Sequence, residues 1–171
     1  MSRGAIEEIF SALLEARVEF VVAGGVAVVL HGHARLTADL DLVVWLEREN
    51  VLRAMGALAG LGYRPEAPVA AEQFADPAQR LQWIRDKGMR VFSLWSDLHR
   101  TTPIDLFVEE PLPFAELADA AARVPLGSIT VPIASIPHLM RMKRAAGRAQ
   151  DLEDLRVLEE LLRARLDDTR G

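Results

Sequence analysis

The chain of 171 residues contains no cysteine. Disulfides, thiolate nucleophiles and zinc–thiolate sites are therefore excluded. Excess positive charge is missing too: the formal net charge is −5. The molecule as a whole is no general nucleic-acid binder, although a local basic patch could still hold RNA. No apolar run approaches the length of a membrane span. The first ten residues, MSRGAIEEIF, lack the apolar core of a secretory signal. The expectation is a cytoplasmic protein with no membrane partner. Repeats and low-complexity tracts are absent as well. What is present is a composition that is 50% hydrophobic, ample for a packed core. The length favours one domain, with room for a small appendage.

The informative stretch runs from Val21 to Trp45, VVAGGVAVVLHGHARLTADLDLVVW. Phe20 to Ala23 reads as a short buried strand. Gly24 and Gly25 interrupt it, and Val26 to Leu30 is again apolar. Glycine allows unusual backbone angles and close approach of a ligand. If a short helix begins at Gly25, its free N–H groups form an anion site. A polar loop follows His31-Gly32, and a second strand spans Leu40 to Trp45. Strand side chains alternate, so Asp39 and Asp41 share a face, about 7 Å apart along the backbone. Two carboxylates so placed repel unless a cation lies between them, and Mg²⁺ is the usual solution. A phosphate cradle beside a metal site suggests a nucleoside triphosphate held through Mg²⁺.

Elsewhere the pattern predicts a helix opening at Ser2 or Gly4 and another over Glu47 to Leu61, with Val51, Leu52, Met55 and Leu58 inward. Tyr63 to Asp76 is weakly patterned and reads as a loop or an irregular strand. Asp76-Pro77 is an N-cap followed by proline at the first helical position, and Lys87-Gly88 ends that helix. Met89 to Trp95 and Pro103 to Val108 read as strands. Asp105 is the only charge inside the second of these, so it lies exposed or has a cationic partner. Phe114 to Arg123 reads as a helix, and Val124 to Pro132 as a hairpin turning at Gly127-Ser128. Beyond Pro132 the pattern is helical. Ser135 caps one helix ending at Gly147, and Asp151 caps a last one to Leu166. Leu152, Leu155, Leu158, Leu161 and Leu162 share one face of that helix. Asp167 to Gly171 is expected to fray. His31 is expected to be structural, His33 to reach the pocket or water, and no histidine spacing suggests zinc.

The string GGVAVVLHGHARLTADLDL, with Asp105 on a later strand, resembles the nucleotidyltransferase superfamily. Within it the chain is most similar to the minimal AbiEii-like toxin group. Lys143, Ala146, Arg148, Asp151 and Asp154 resemble that group's C-terminal signature. The resemblance implies a mixed α/β fold: a short twisted mixed sheet flanked by helices, with a C-terminal helical appendage. Residues 1–133 would form the core and 134–171 a helical segment packed on it. It further implies nucleotidyl transfer of the EC 2.7.7 type. Asp39, Asp41 and Asp105 would be catalytic and would bind one or two Mg²⁺ ions. Gly24 and Gly25 would hold the β- and γ-phosphates, Thr37 would add a hydroxyl donor, and Arg35 or Lys143 would neutralise phosphate charge. The acceptor would be RNA, such as tRNA, for a toxin with a cognate antitoxin. The alternatives are a small molecule such as an antibiotic, or a nucleotide-binding protein without catalysis. For RNA, Arg141, Lys143, Arg144 and Arg148 would supply phosphate contacts.

Overall fold

A computed structural model describes residues 3–168. The elements run α1 (Arg3–Glu15), β1 (Phe20–Val22), α2 (Gly24–Leu30), β2 (Leu40–Val44), α3 (Arg48–Gly60), β3 (Tyr63–Pro65), α4 (Ala71–Ala75) and α5 (Pro77–Lys87). They continue as β4 (Val91–Ser96), β5 (Ile104–Phe107), α6 (Phe114–Asp119), β6 (Ala122–Leu126), β7 (Ile129–Ile133), α7 (Ile136–Ala146) and α8 (Ala149–Asp168). Among the described residues no helix is long and apolar enough to cross a membrane.

One mixed sheet of seven strands, in the order β3-β4-β5-β2-β1-β7-β6, carries the whole molecule. The centre is where direction changes. β1 is antiparallel to β2, whereas β2 is parallel to β5 and β1 is parallel to β7. The period-two pattern holds along the central strands. Leu40, Leu42, Ile104, Leu106, Phe92 and Leu94 are buried on one face. Asp41, Asp105 and Ser93 project from the other, in register side by side. Apolar burial of the first set supplies the main driving force for this half of the fold.

Local signals place the helices around the sheet. The Glu47 carboxylate accepts from Asn50 N–H to start α3, and the Asp76 carboxylate accepts from Ala78 N–H to start α5. Gly88 and Gly147 take left-handed angles and stop α5 and α7. The rings of Phe74, Phe92 and Trp83 stack where α4 and α5 meet β4, with centroids 4.6 and 5.7 Å from Phe92. Buried Arg80 donates to the Phe74 carbonyl at 2.7 Å and holds the α4–α5 corner.

Several boundaries differ from the sequence expectation. α6 stops at Asp119, and Ala122 and Arg123 belong to β6 instead. Alanine-rich sequence favours helix in isolation, but pairing of Ala122 with Ile133 overrides it. The 63–76 stretch contains β3 and the short α4, whose first turn is closed by Gln73 Oε1 accepting from Ala70 N–H. α8 begins at Ala149, so Asp151 is its third residue rather than its cap. Its carboxylate reaches back to the Arg148 N–H at 3.1 Å. Leu152 is 60% exposed while Leu158 is fully buried, so the apolar stripe starts later than its leucine spacing implies. Asp167 and Asp168 are still helical, and residues 169–171 lie outside the described residues, as does Ser2.

Asn50 joins the strand ends. Fully buried, it accepts from Glu19 N–H at 2.8 Å and donates to the carbonyls of Glu19 at 3.0 Å and Trp45 at 2.8 Å. Asn50→Leu strands three backbone groups. It is expected to lower unfolding stability by about 3 kcal/mol, read from the urea midpoint. A loss under about 1 kcal/mol would show that water replaces these bonds.

Candidate active site

The carboxyl end of β1 and the first turn of α2 form the floor. Gly24 has φ of +58°, in the left-handed region that glycine occupies without penalty. A β-carbon built there would lie 1.8 Å from Asp41 Oδ2, and one built on Gly25 would lie 2.4 Å from Thr37 Oγ1. The two missing side chains are therefore replaced by the carboxyl of Asp41 and the hydroxyl of Thr37. The residue before α2 is Ala23, which offers no side-chain cap.

The wall is built by register. Asp41 pairs with Asp105 across the parallel β2–β5 ladder, and Asp105 pairs with Ser93 across β4–β5. Ser93 Oγ donates to Asp105 Oδ1 at 2.6 Å. Asp105 is thus neither fully exposed nor ion-paired; a neutral hydroxyl steadies it. Burial, then the charge of Asp105, then that of Asp39, push the Asp41 carboxyl up to about 6. Lys143 and Arg148 partly offset this. Burial likewise raises Asp105, with Ser93 pulling the other way.

The far side comes from the 33–39 loop, α7 and the start of α8. Lys143 is 7% exposed, with Nζ 2.5 Å from Asp154 Oδ2 and 3.3 Å from Asp151 Oδ1. Arg35 Nη1 donates to Asp154 Oδ1 at 2.5 Å and also contacts Oδ2. Arg148 Nε donates to Asp151 Oδ2 at 2.9 Å. Burial works to raise Asp151, but bonds from Arg148 and Lys143 outweigh it and hold its carboxyl low.

All eight residues singled out by the sequence line one cleft of about 960 Å³: Gly24, Gly25, Arg35, Thr37, Asp39, Asp41, Asp105 and Lys143. Sequence reasoning missed Ser93, which only strand register reveals, and Arg90, Glu109 and Glu110 on the cleft's rim. His33 does not line the cleft. His31 is structural as expected, its Nε2 lying 2.8 Å from the Ala134 carbonyl oxygen. The basic group on and after α7 is not free. Arg141 pairs with Glu116, Arg144 with Glu159, and Lys143 and Arg148 with the aspartates above.

Among the described residues no group of three or more His, Cys, Asp or Glu side chains is set to hold a metal ion unaided. Mg²⁺ rarely uses an all-protein cage. It takes one or two carboxylates and completes its shell with water and substrate phosphates. The donor set here, hard carboxylate oxygens destabilised by one another, fits that mode.

No protein-family model and no curated protein matches the chain. Solved structures do. LnuA, a lincosamide antibiotic adenylyltransferase in its lincomycin-bound form, aligns with a TM-score of 0.64 at 14% identity, over 94% of this chain and 98% of that one. ANT(2'')-Ia in complex with adenylyl-2''-tobramycin aligns at 0.60 and 16% identity, over 99% and 98%. The chain has the nucleotidyltransferase fold. An antigenic nucleotidyltransferase-like protein from Paracoccidioides brasiliensis shares that fold at 0.56 and 14% identity, over 91% and 76%.

The Asp41 environment has a consequence for stability. Its folded carboxyl binds a proton more tightly than an unfolded one, so ionised Asp41 costs the metal-free fold about 3 kcal/mol above pH 7. Asp41→Asn should be the more stable protein by that amount at pH 8. The difference should shrink as pH falls through about 6 and vanish near 4. Neutral His31, whose pKa is lowered by burial, acts oppositely in the same window, so only the difference between the two proteins isolates Asp41. Melting temperatures of both across pH 4 to 8 check this.

Proposed function

We propose that the protein is a Mg²⁺-dependent nucleotidyltransferase that moves a nucleoside monophosphate from an NTP to an acceptor hydroxyl. The observation that carries this is the meeting of Asp39, Asp41 and Asp105 with the Gly24-Gly25 turn in one cleft. On this reading the catalytic core lies within residues 1–133, and α7 with the start of α8 closes the site from the other side.

Asp39 and Asp41 would hold Mg²⁺ with the triphosphate, and Asp105 would face the acceptor. When bound, the metal neutralises phosphate charge and orients the attacking and leaving oxygens. The acceptor oxygen attacks the α-phosphorus, the bond to the bridging oxygen breaks, and pyrophosphate leaves with that electron pair. Asp105 would take the acceptor's proton. The backbone N–H groups of Gly24 and Gly25 would hold the β- and γ-phosphates, and Thr37 Oγ1 would donate to them. Arg35 and Lys143 would offset charge that builds in the transition state.

For the acceptor we favour a small molecule. Arg141 and Arg144, which would carry an RNA strand beyond the cleft, pair with Glu116 and Glu159 and do not line it. The aligned LnuA and ANT(2'')-Ia chains, which bear lincomycin and an adenylylated tobramycin, are spanned almost end to end. The second reading is an AbiEii-like toxin that modifies RNA, such as tRNA, and is checked by an antitoxin. It rests on the Lys143, Arg148, Asp151 and Asp154 signature.

The deciding assay offers each α-labelled NTP with Mg²⁺ to aminoglycosides, to lincosamides and to total RNA. Wild type should label a small molecule, and Asp41→Asn should lose at least about 100-fold of that rate. Label on RNA, falling steeply with salt, would establish the toxin reading instead. No label and no Mg²⁺–NTP binding by the folded protein would reject transfer altogether.

A further inference from the structure

Arg35 comes from a stretch, residues 33–39, with no regular secondary structure. Such a loop does not by itself hold a long side chain in one place. Yet its guanidinium carbon lies 3.2 Å from where a Gly25 β-carbon would stand, against the glycine turn. What fixes it there is 119 residues away: Asp154, on the second turn of α8, which grips Nη1 with both carboxylate oxygens. The same carboxylate takes Lys143 Nζ at 2.5 Å. Asp154 is 6% exposed, so the charge is buried and its two cationic partners are what make that burial tolerable. Asp151, 1% exposed, receives Lys143 from the other side and anchors Arg148. Two buried carboxylates thus set three cations at the edge of the cleft that contains the three catalytic-wall aspartates.

We propose that Asp154 is a positioning residue for nucleotidyl transfer: from the C-terminal helix it holds the Arg35 guanidinium beside the Gly24-Gly25 turn and Lys143 next to it, so that both cations stand where the triphosphate arrives. This rests on the reading of the cleft as an NTP site. Asp154 touches no substrate; it acts through Arg35 and Lys143. Preorganised cations stabilise developing charge without reorganising at the moment of reaction, and misplacement of such groups by about 1 Å costs on the order of 100-fold in rate. A flexible, unpaired arginine still attracts phosphate, so binding suffers less than turnover.

The test compares wild type, Asp154→Asn, Arg35→Lys and the double variant. The Arg35 side-chain N–H resonance is assigned by its loss in Arg35→Lys. In wild type it should be sharp and slowly exchanging, and it should shift on addition of Mg²⁺ with a non-hydrolysable NTP analogue. In Asp154→Asn it should broaden or average. With the acceptor found by the labelling assay, Asp154→Asn should lower kcat by about 100-fold and change the NTP Kd by less than about threefold. The double variant should be no slower than the slower single one, since the two residues act as a unit.

An Arg35 resonance untouched by Asp154→Asn overturns the proposal whatever the activity, as does a kcat within about twofold of wild type. If wild type transfers to nothing, the resonance still decides. An NTP-induced shift that is lost in Asp154→Asn supports the positioning role and rejects only the acceptor assignment. No shift in wild type rejects the positioning role and the NTP site together. Should Asp154→Asn fail to fold, Asp154→Glu replaces it. That variant keeps the charge but moves it by one methylene, so it should melt near wild type and still lose turnover.

Discussion

Parallel pairing of β2 with β5 is the contact on which the site depends. It sets Asp41 beside Asp105 with a spacing that the backbone ladder enforces. Because strand side chains alternate, the same pairing buries Leu40, Leu42, Ile104 and Leu106 on the opposite face. A slip of one residue would bury the carboxylates and expose the leucines. The hydrophobic core therefore holds the acidic wall in place, at a cost paid in raised carboxyl pKa values.

Charge balance organises the rest of the cleft. Its lining carries seven carboxylates against four cations, Arg35, Arg90, Lys143 and Arg148. Three of those cations already face Asp151 or Asp154. A bare triphosphate would meet net repulsion there, whereas a triphosphate carrying Mg²⁺ brings its own compensation. The C-terminal helices contribute in the same terms. They deliver no group to the acidic wall, but they decide where the opposing positive charge stands.

Much of the acidic wall was legible because its elements are short-range. Gly24-Gly25, Arg35, Thr37 and the Asp39–Asp41 alternation fall within one continuous stretch, and strand and loop rules act on neighbours. Asp105 stood out as a lone charge in an apolar strand. Ser93 carried no such mark, since a serine on a strand is unremarkable until register puts it against Asp105. The end of α6 departs from its local pattern for a related reason: Ala120 to Ala122 favour helix locally, and only the β6–β7 pairing recruits Ala122 to the sheet. Asp151 read as a cap from its place near a helix start, yet its carboxylate serves Arg148 N–H from the third helical position.

By itself the sequence determined the alternation of buried and polar faces, the glycine turn, the helix caps at Asp76 and Ser135, and the identity of the acidic residues. These follow from local backbone preference and hydrophobic period, which need no partner. Only the tertiary structure decided which charges are paired and where they stand. That Arg35 and Lys143 share Asp154, that Arg141 and Arg144 are matched by Glu116 and Glu159, and that Ser93 steadies Asp105 are all contacts across the fold. Coulomb interactions depend on distance in space, and a linear pattern of Lys, Arg and Asp fixes no such distance until the helices have packed.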